Sequence, residues 1–219
     1  MTYTLLQLFD LIGTIAFAIS GAFVGIRHRM DVFGVLMLAI TTACGGGLMR
    51  DLVIGSTPPL AFRNPFYVGV AALTGLSVFL LLYLHQRMPK VVAKVYDQIL
   101  FWFDTLGLAA FTVDGVIIGA NAGFSDEPFL LCFLGFITGV GGGALRDVLA
   151  NRMPDIFLKK VYAIASIAGA VSMTLLYRVS TSWPVPMIVG AAVVVIVRYL
   201  AKRFLWNLPR IEEESGKRD

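Results

Sequence analysis

Gly45-Gly46-Gly47-Leu48-Met49-Arg50-Asp51 returns ninety-six residues later as Gly141-Gly142-Gly143-Ala144-Leu145-Arg146-Asp147. Each copy lies within a long apolar run, where both a glycine triplet and an Arg-Asp pair are costly choices. The duplication extends on either side. Phe9-Asp10-x-x-Gly13-x-x-Ala16-Phe17-x-x-x-Gly21-x-x-x-Gly25 recurs ninety-four residues on as Phe103, Asp104, Gly107, Ala110, Phe111, Gly115 and Gly119, and Pro58 recurs as Pro154. The two-residue slip between the blocks falls in the connection between the first and second apolar runs. The chain is therefore two copies of one unit.

Composition says where the copies reside. Of 219 residues, 58% are hydrophobic and 15% charged, and the mean hydropathy is +0.80. A soluble domain is about 45–50% apolar and about 25% charged, so these few charges cannot cover a water-facing surface. Seven runs are long enough to cross a bilayer at about 20 residues each: Leu5–Ile26, Val32–Ile54, Tyr67–Leu84, Ile99–Ala120, Phe129–Ala150, Val161–Tyr177 and Met187–Leu205. The expected fold is an all-α membrane protein of seven transmembrane helices. Residues 5–84 form a first three-helix repeat, 99–177 a second, 187–205 a seventh helix and 206–219 a polar cytoplasmic tail. Three spans per copy is an odd number, so the second copy enters the membrane from the opposite side and the repeat is inverted.

The basic residues orient the chain. Fourteen Lys and Arg lie in the connections after spans one, three and five and from Arg198, at the end of the seventh span, through the tail, against two, Arg63 and Arg178, on the other side. This bias places the N-terminus outside and the C-terminus in the cytoplasm. Placement of the charge also explains the formal net charge of +4 through topology and anionic lipid. No basic stripe with interleaved aromatics points to nucleic acid. Cys44 and Cys132 lie inside apolar runs, where they read as small packing residues rather than a disulfide or a metal pair.

Three adjacent glycines near mid-span lower helix propensity by about 1 kcal/mol each relative to alanine. Breaks at matching positions of inverted repeats mark transport sites. The expectation is that spans two and five break at Gly45–Gly47 and at Gly141–Gly143 and line a polar path. The alternative is that the glycines only admit a neighbouring helix. Arg50, Asp51, Arg146 and Asp147 then stand at the ends of that path, and Asp10 and Asp104 join them. At about 1.5 Å per residue, Asp10 and Arg50 lie at matching depth near one membrane face, and Asp104 and Arg146 near the other. Contacts Asp10–Arg50 and Asp104–Arg146 are therefore expected. Five intramembrane aspartates, Asp10, Asp51, Asp104, Asp114 and Asp147, face two arginines, an excess of negative charge that suits a cation. Asp114 matches Ser20 in the other copy and reads either as an acid of the path or as a satisfied polar residue near a helix end.

Seven spans, an inverted three-plus-three repeat and a GGGxxRD run on both the second and fifth spans resemble the prokaryotic branch of the trimeric intracellular cation (TRIC) channels, a group also known under a glycine-transporter domain name. The likeness covers Phe9 to about Leu205. It implies a homotrimer in a prokaryotic inner membrane, with a pore in each protomer around kinked second and fifth helices. It also implies passage of monovalent cations, chiefly potassium, and no cofactor. Through it the hinges map onto Gly45, Gly46, Gly47, Gly141, Gly142 and Gly143, and the adjoining charges onto Arg50, Asp51, Arg146 and Asp147. Animal members carry a lysine in a lipid-binding motif on the second span; Thr42-Ala43-Cys44 stands here instead, so phosphoinositide control is not implied. Besides a channel, the residues suit a carrier of glycine or another small zwitterion, with arginine for its carboxylate and aspartate for its ammonium. A membrane scaffold is a third possibility. No base–nucleophile pair or metal-ligand cluster suggests an enzyme.

Overall fold

The structure, a computed structural model, describes residues 2–84, 90–158, 161–180 and 182–206. The expected tail beyond Trp206 lies outside the described residues. In chain order the helices are α1 (Thr2–Arg27), α2 (Val32–Val53), the four-residue α3 (Leu60–Arg63), α4 (Phe66–Leu84), α5 (Lys90–Gly119), α6 (Pro128–Leu149), the four-residue α7 (Asp155–Leu158), α8 (Tyr162–Ser180) and α9 (Pro184–Arg203). Seven of these are long and apolar enough to span a bilayer, and they fall on the seven expected runs. Helix α5 starts nine residues before Ile99 because nothing in Lys90–Gln98 breaks a helix. Its far end widens into one π turn, Ala120–Phe124, closed by Gly123 at φ 101°, a conformation that a side chain would oppose.

Two copies of one three-helix unit are visible in the packing. Helices α1, α2, α5 and α6 form the centre, with α1 against α5 and α2 against α6. Helix α4 covers α1 and α2, α8 covers α5 and α6, and α9 lies along α8 and α5. Central α5 is 72% buried across its span and peripheral α4 only 11%. The outer faces are large and apolar, as at Leu73, Leu81, Phe129 and Val185, which is what lipid requires of a helix surface.

The pseudo-two-fold recurs in small features. Phe17 and Phe111 meet edge to face at 5.3 Å between ring centres, each lying over the other copy's glycine, Gly107 and Gly13. Thr42 and Thr138 each donate to a carbonyl one turn back, Leu38 and Leu134, at 2.6 Å. After α2 and α6 the chain turns through left-handed residues at equivalent places, Gly55 (φ 71°) and Asn151 (φ 53°).

The expected helix breaks are absent. Helices α2 and α6 run unbroken through Gly45–Gly47 and Gly141–Gly143. The middle glycines instead form the crossing point of the two helices. A Cβ at Gly46 would collide with the carbonyl oxygen of Thr138, and one at Gly142 with that of Thr42. The triplets thus remove side chains so that two intact backbones can touch, and both helices keep their own backbone hydrogen bonding through the crossing.

Candidate functional site: two charged clusters on either side of a helix crossing

At the C-terminal ends of α2 and α6 the Arg-Asp pairs do the same local work. The Arg50 guanidinium holds Asp51 Oδ1 at 2.8 Å, and Asp51 Oδ2 accepts from the Leu60 amide at 2.7 Å. In the second copy Arg146 Nε holds Asp147 Oδ1 at 2.8 Å, and Asp147 Oδ2 accepts from the Asp155 amide at 2.9 Å. Each aspartate thereby ties the start of a short helix, α3 or α7, back to its arginine. All four side chains are at most 4% exposed.

Beyond that shared core the two clusters diverge. Arg146 Nη1 reaches Asp104 at 2.7 Å and Ser20 at 2.5 Å, so the expected Asp104–Arg146 contact is present. Arg152 adds a second cation on Asp147 at 2.7 Å and lies 3.6 Å from Asp155. Arg198, counted above with the cytoplasmic tail, points inward instead. It is 5% exposed, donates to Thr105 at 3.2 Å, lies 3.8 Å from Asp104 and is sandwiched between the rings of Phe101 and Tyr162 at 4.8 and 4.7 Å. Three arginines thus meet three aspartates, Asp104, Asp147 and Asp155. Among the described residues the charges of the Arg146 end balance, and Arg146, Asp147 and Asp104 are buried.

At the Arg50 end the expected Asp10–Arg50 contact is an electrostatic one across the cavity rather than a direct ion pair. Arg50 Nη1 binds Asp114 Oδ2 at 2.5 Å, because Asp114 occupies the place that Ser20 takes in the other cluster. Asp10 lies against Asp114 and accepts from the Tyr67 hydroxyl. Arg63, the nearest other cation in sequence, turns away to Ser56 on the surface. Asp10, Asp51 and Asp114 therefore share one arginine. They line a cavity of about 60 Å³ together with Thr14, Ala43, Cys44, Gly47, Leu60, Ala61, Asn64, Tyr67, Phe111, Ile118 and Thr138. Its mouth is at exposed Leu60 and Asn64, and its floor is at Phe111 and Thr138, beside the α2–α6 crossing.

Of the expected site residues, Asp10, Arg50, Asp51, Asp114 and Gly47 meet at this cavity, and Asp104, Arg146, Asp147 and Gly143 meet at the sealed end. Gly45, Gly46, Gly141 and Gly142 form the partition between them. Tyr67, Arg152, Asp155 and Arg198 were not found from the sequence. Arg198 had a signal: Val195-Ile196-Val197-Arg198-Tyr199-Leu200 is a charge inside a span, not beyond it. Replacing Arg198 with leucine removes one of the three cations at the sealed end. We expect a loss of about 1.5–3 kcal/mol, read as a lower denaturation midpoint in detergent.

The fold and these clusters define a multi-pass membrane protein with an inverted three-plus-three repeat, a seventh helix and a charged cavity entering from one face. The family model described as "Glycine transporter" matches the chain twice, over residues 7–83 and 101–178, and the chain belongs to that family. A "UPF0126 membrane protein" of Deinococcus radiodurans is 38% identical over 95% of this chain and 94% of its own length. The "UPF0126 inner membrane protein YadS" of Escherichia coli K12 is 37% identical over 95% and 97%. Among solved structures, a chain from work on the "structural basis for conductance through TRIC cation channels" is 34% identical, with a TM-score of 0.81 over 96% of this chain and 98% of that one. The TRIC trimeric intracellular cation channel orthologue from Rhodobacter sphaeroides is 28% identical, with a TM-score of 0.82 over 93% of this chain and 100% of that one. The resemblance read from the doubled motif is thus a resemblance in three dimensions as well.

Proposed function

We propose that the chain is a monovalent cation channel, permeable to potassium, that assembles as a homotrimer with one path in each protomer. The observation that carries this reading is the cavity at the Arg50 end. Three carboxylates around one arginine draw cations, and the cavity leads to the α2–α6 crossing in a fold shared with cation channels. The path continues along that crossing toward Arg146. In the form described it is shut twice, by Phe111 against Phe17 and by the neutral cluster around Arg146. Opening requires the crossing to loosen and the arginines there to exchange partners. The Lys and Arg bias sets the cavity toward the outside of a prokaryotic inner membrane and the C-terminus in the cytoplasm.

Planar-bilayer recording of the purified protein tests this. Unitary currents that reverse near the potassium equilibrium potential are expected, with no current carried by a glycine gradient. A specific observation favours one other reading. A cavity open at one end and sealed at the other, with arginine and carboxylate on one wall, also suits alternating access by a small zwitterion. Saturable glycine counterflow without unitary currents would establish that carrier and refute the channel.

A further inference from the structure

The two clusters are equivalent in backbone and unequal in charge. At the Arg146 end each carboxylate has an arginine of its own. At the Arg50 end Asp51 and Asp114 divide one guanidinium, and Asp10 receives the Tyr67 hydroxyl. Counted as ionised, the three carboxylates exceed the one guanidinium by two charges. The places where the second copy supplies Arg152 and Asp155 are Ser56 and Pro59 in the first; Arg63 reaches Ser56 there, and among the described ion pairs Arg50 alone binds the acids of this end. Asp114 makes the imbalance local. Its side chain is 4% exposed, its Oδ2 is taken by Arg50, and its Oδ1 accepts a hydrogen bond from no described residue. A buried carboxylate oxygen without a donor is costly. Asp10 faces it across the cavity wall, within hydrogen-bonding reach of the Asp114 carboxyl.

We infer that Asp10 and Asp114, with the Tyr67 hydroxyl beside them, form a discrete binding site for a partly hydrated monovalent metal cation at this end of the protein, with no counterpart at the other. The inference deepens the channel reading by naming where a cation first sheds water, although binding there is measurable without conduction. A divalent ion fits the donor set less well. Calcium takes 6–8 oxygen ligands and magnesium a near-ideal octahedron, whereas Asp51 is already committed to Arg50 and Leu60. A monovalent ion keeps part of its water and needs only the few oxygens present.

The test is thermal unfolding of the purified full-length protein in detergent, titrated with potassium chloride against choline chloride at constant ionic strength. Saturable stabilisation by potassium over choline is expected. Asp114→Asn and, separately, Asp10→Asn should weaken the apparent potassium affinity at least tenfold. Asp10→Asn leaves the Arg50–Asp114 pair intact, so it reports even if the other variant folds poorly. Equal stabilisation in potassium and choline overturns the inference, as does a saturable effect unchanged by Asp10→Asn. A dependence on pH alone would assign the pair to a proton and overturn it, and displacement of potassium by micromolar calcium would overturn the ionic class. Recording the same preparation in bilayers separates the two claims. Currents without a potassium-specific shift sink the site and leave the channel, whereas a shift without currents sinks the channel and leaves the site.

Discussion

Replacing Gly142 with alanine should destabilise the protein by about 3 kcal/mol, and Gly46→Ala should do the same, whereas Gly47→Ala should leave it as stable or slightly more so. At Gly46 and Gly142 a new methyl meets a backbone carbonyl of the facing helix, Thr138 or Thr42, and neither helix can yield without pushing the crossing apart. Overpacking of this kind costs about 1–3 kcal/mol, occasionally more, and the backbone contact puts these two sites at the upper end. At Gly47 the nearest atom to the new Cβ is Arg50 Nη2, 3.6 Å away. There only the higher helix propensity of alanine counts, a gain of up to about 1 kcal/mol. Equilibrium unfolding in mixed micelles checks all three. A triplet acting as a hinge would tolerate the middle substitutions and respond mainly in current; a triplet acting as a helix contact responds in stability.

Arg146→Leu should cost about 3–5 kcal/mol, the penalty for leaving buried carboxylates without their partner. Arg146 is wholly buried, and both Asp104 and Asp147 depend on it. Arg152 and Arg198 remain nearby, which holds the loss toward the lower figure. The equivalent Arg50→Leu should cost less, because its acids line an open cavity. Its larger effect falls on conduction, where loss of the one positive charge beside three carboxylates should raise cation current. Matched denaturation and bilayer measurements on the two variants would separate a structural end from a conducting end. Equal losses in stability would contradict the asymmetry.

The doubled motif made most of the fold legible. An odd number of spans in each copy dictates inversion, and the seven helices fall on the seven apolar runs. The glycines misled because propensity describes a helix alone. Within a bundle, the missing side chains of Gly46 and Gly142 are needed by the other helix, and contact across the crossing outweighs the local weakness. Depth arithmetic found Asp104–Arg146 and missed Arg50–Asp114 for a related reason. It compares heights along the membrane normal and has no information on which residue lies across the interface. Asp114 comes from the opposite copy, on α5, and its departure from Ser20 was the available hint. Arg198 was misplaced because charge counting treats an arginine near the end of a span as a topology signal, although two aromatic rings and Asp104 hold it inside.

Cys44 offers the most direct test that ions cross through the cavity at the Arg50 end. It lines that cavity as a free thiol, while Cys132, the other cysteine, lies in a separate apolar groove between α6 and α8. In a Cys132→Ser background, a membrane-impermeant cationic thiol reagent should be applied to one face at a time during single-channel recording in potassium. Irreversible reduction of the unitary current is expected from the outside face only, and none in the additional absence of Cys44. Full current after Cys44 has been shown to be modified, or no unitary current at all from active protein, would contradict a cation path through this cavity.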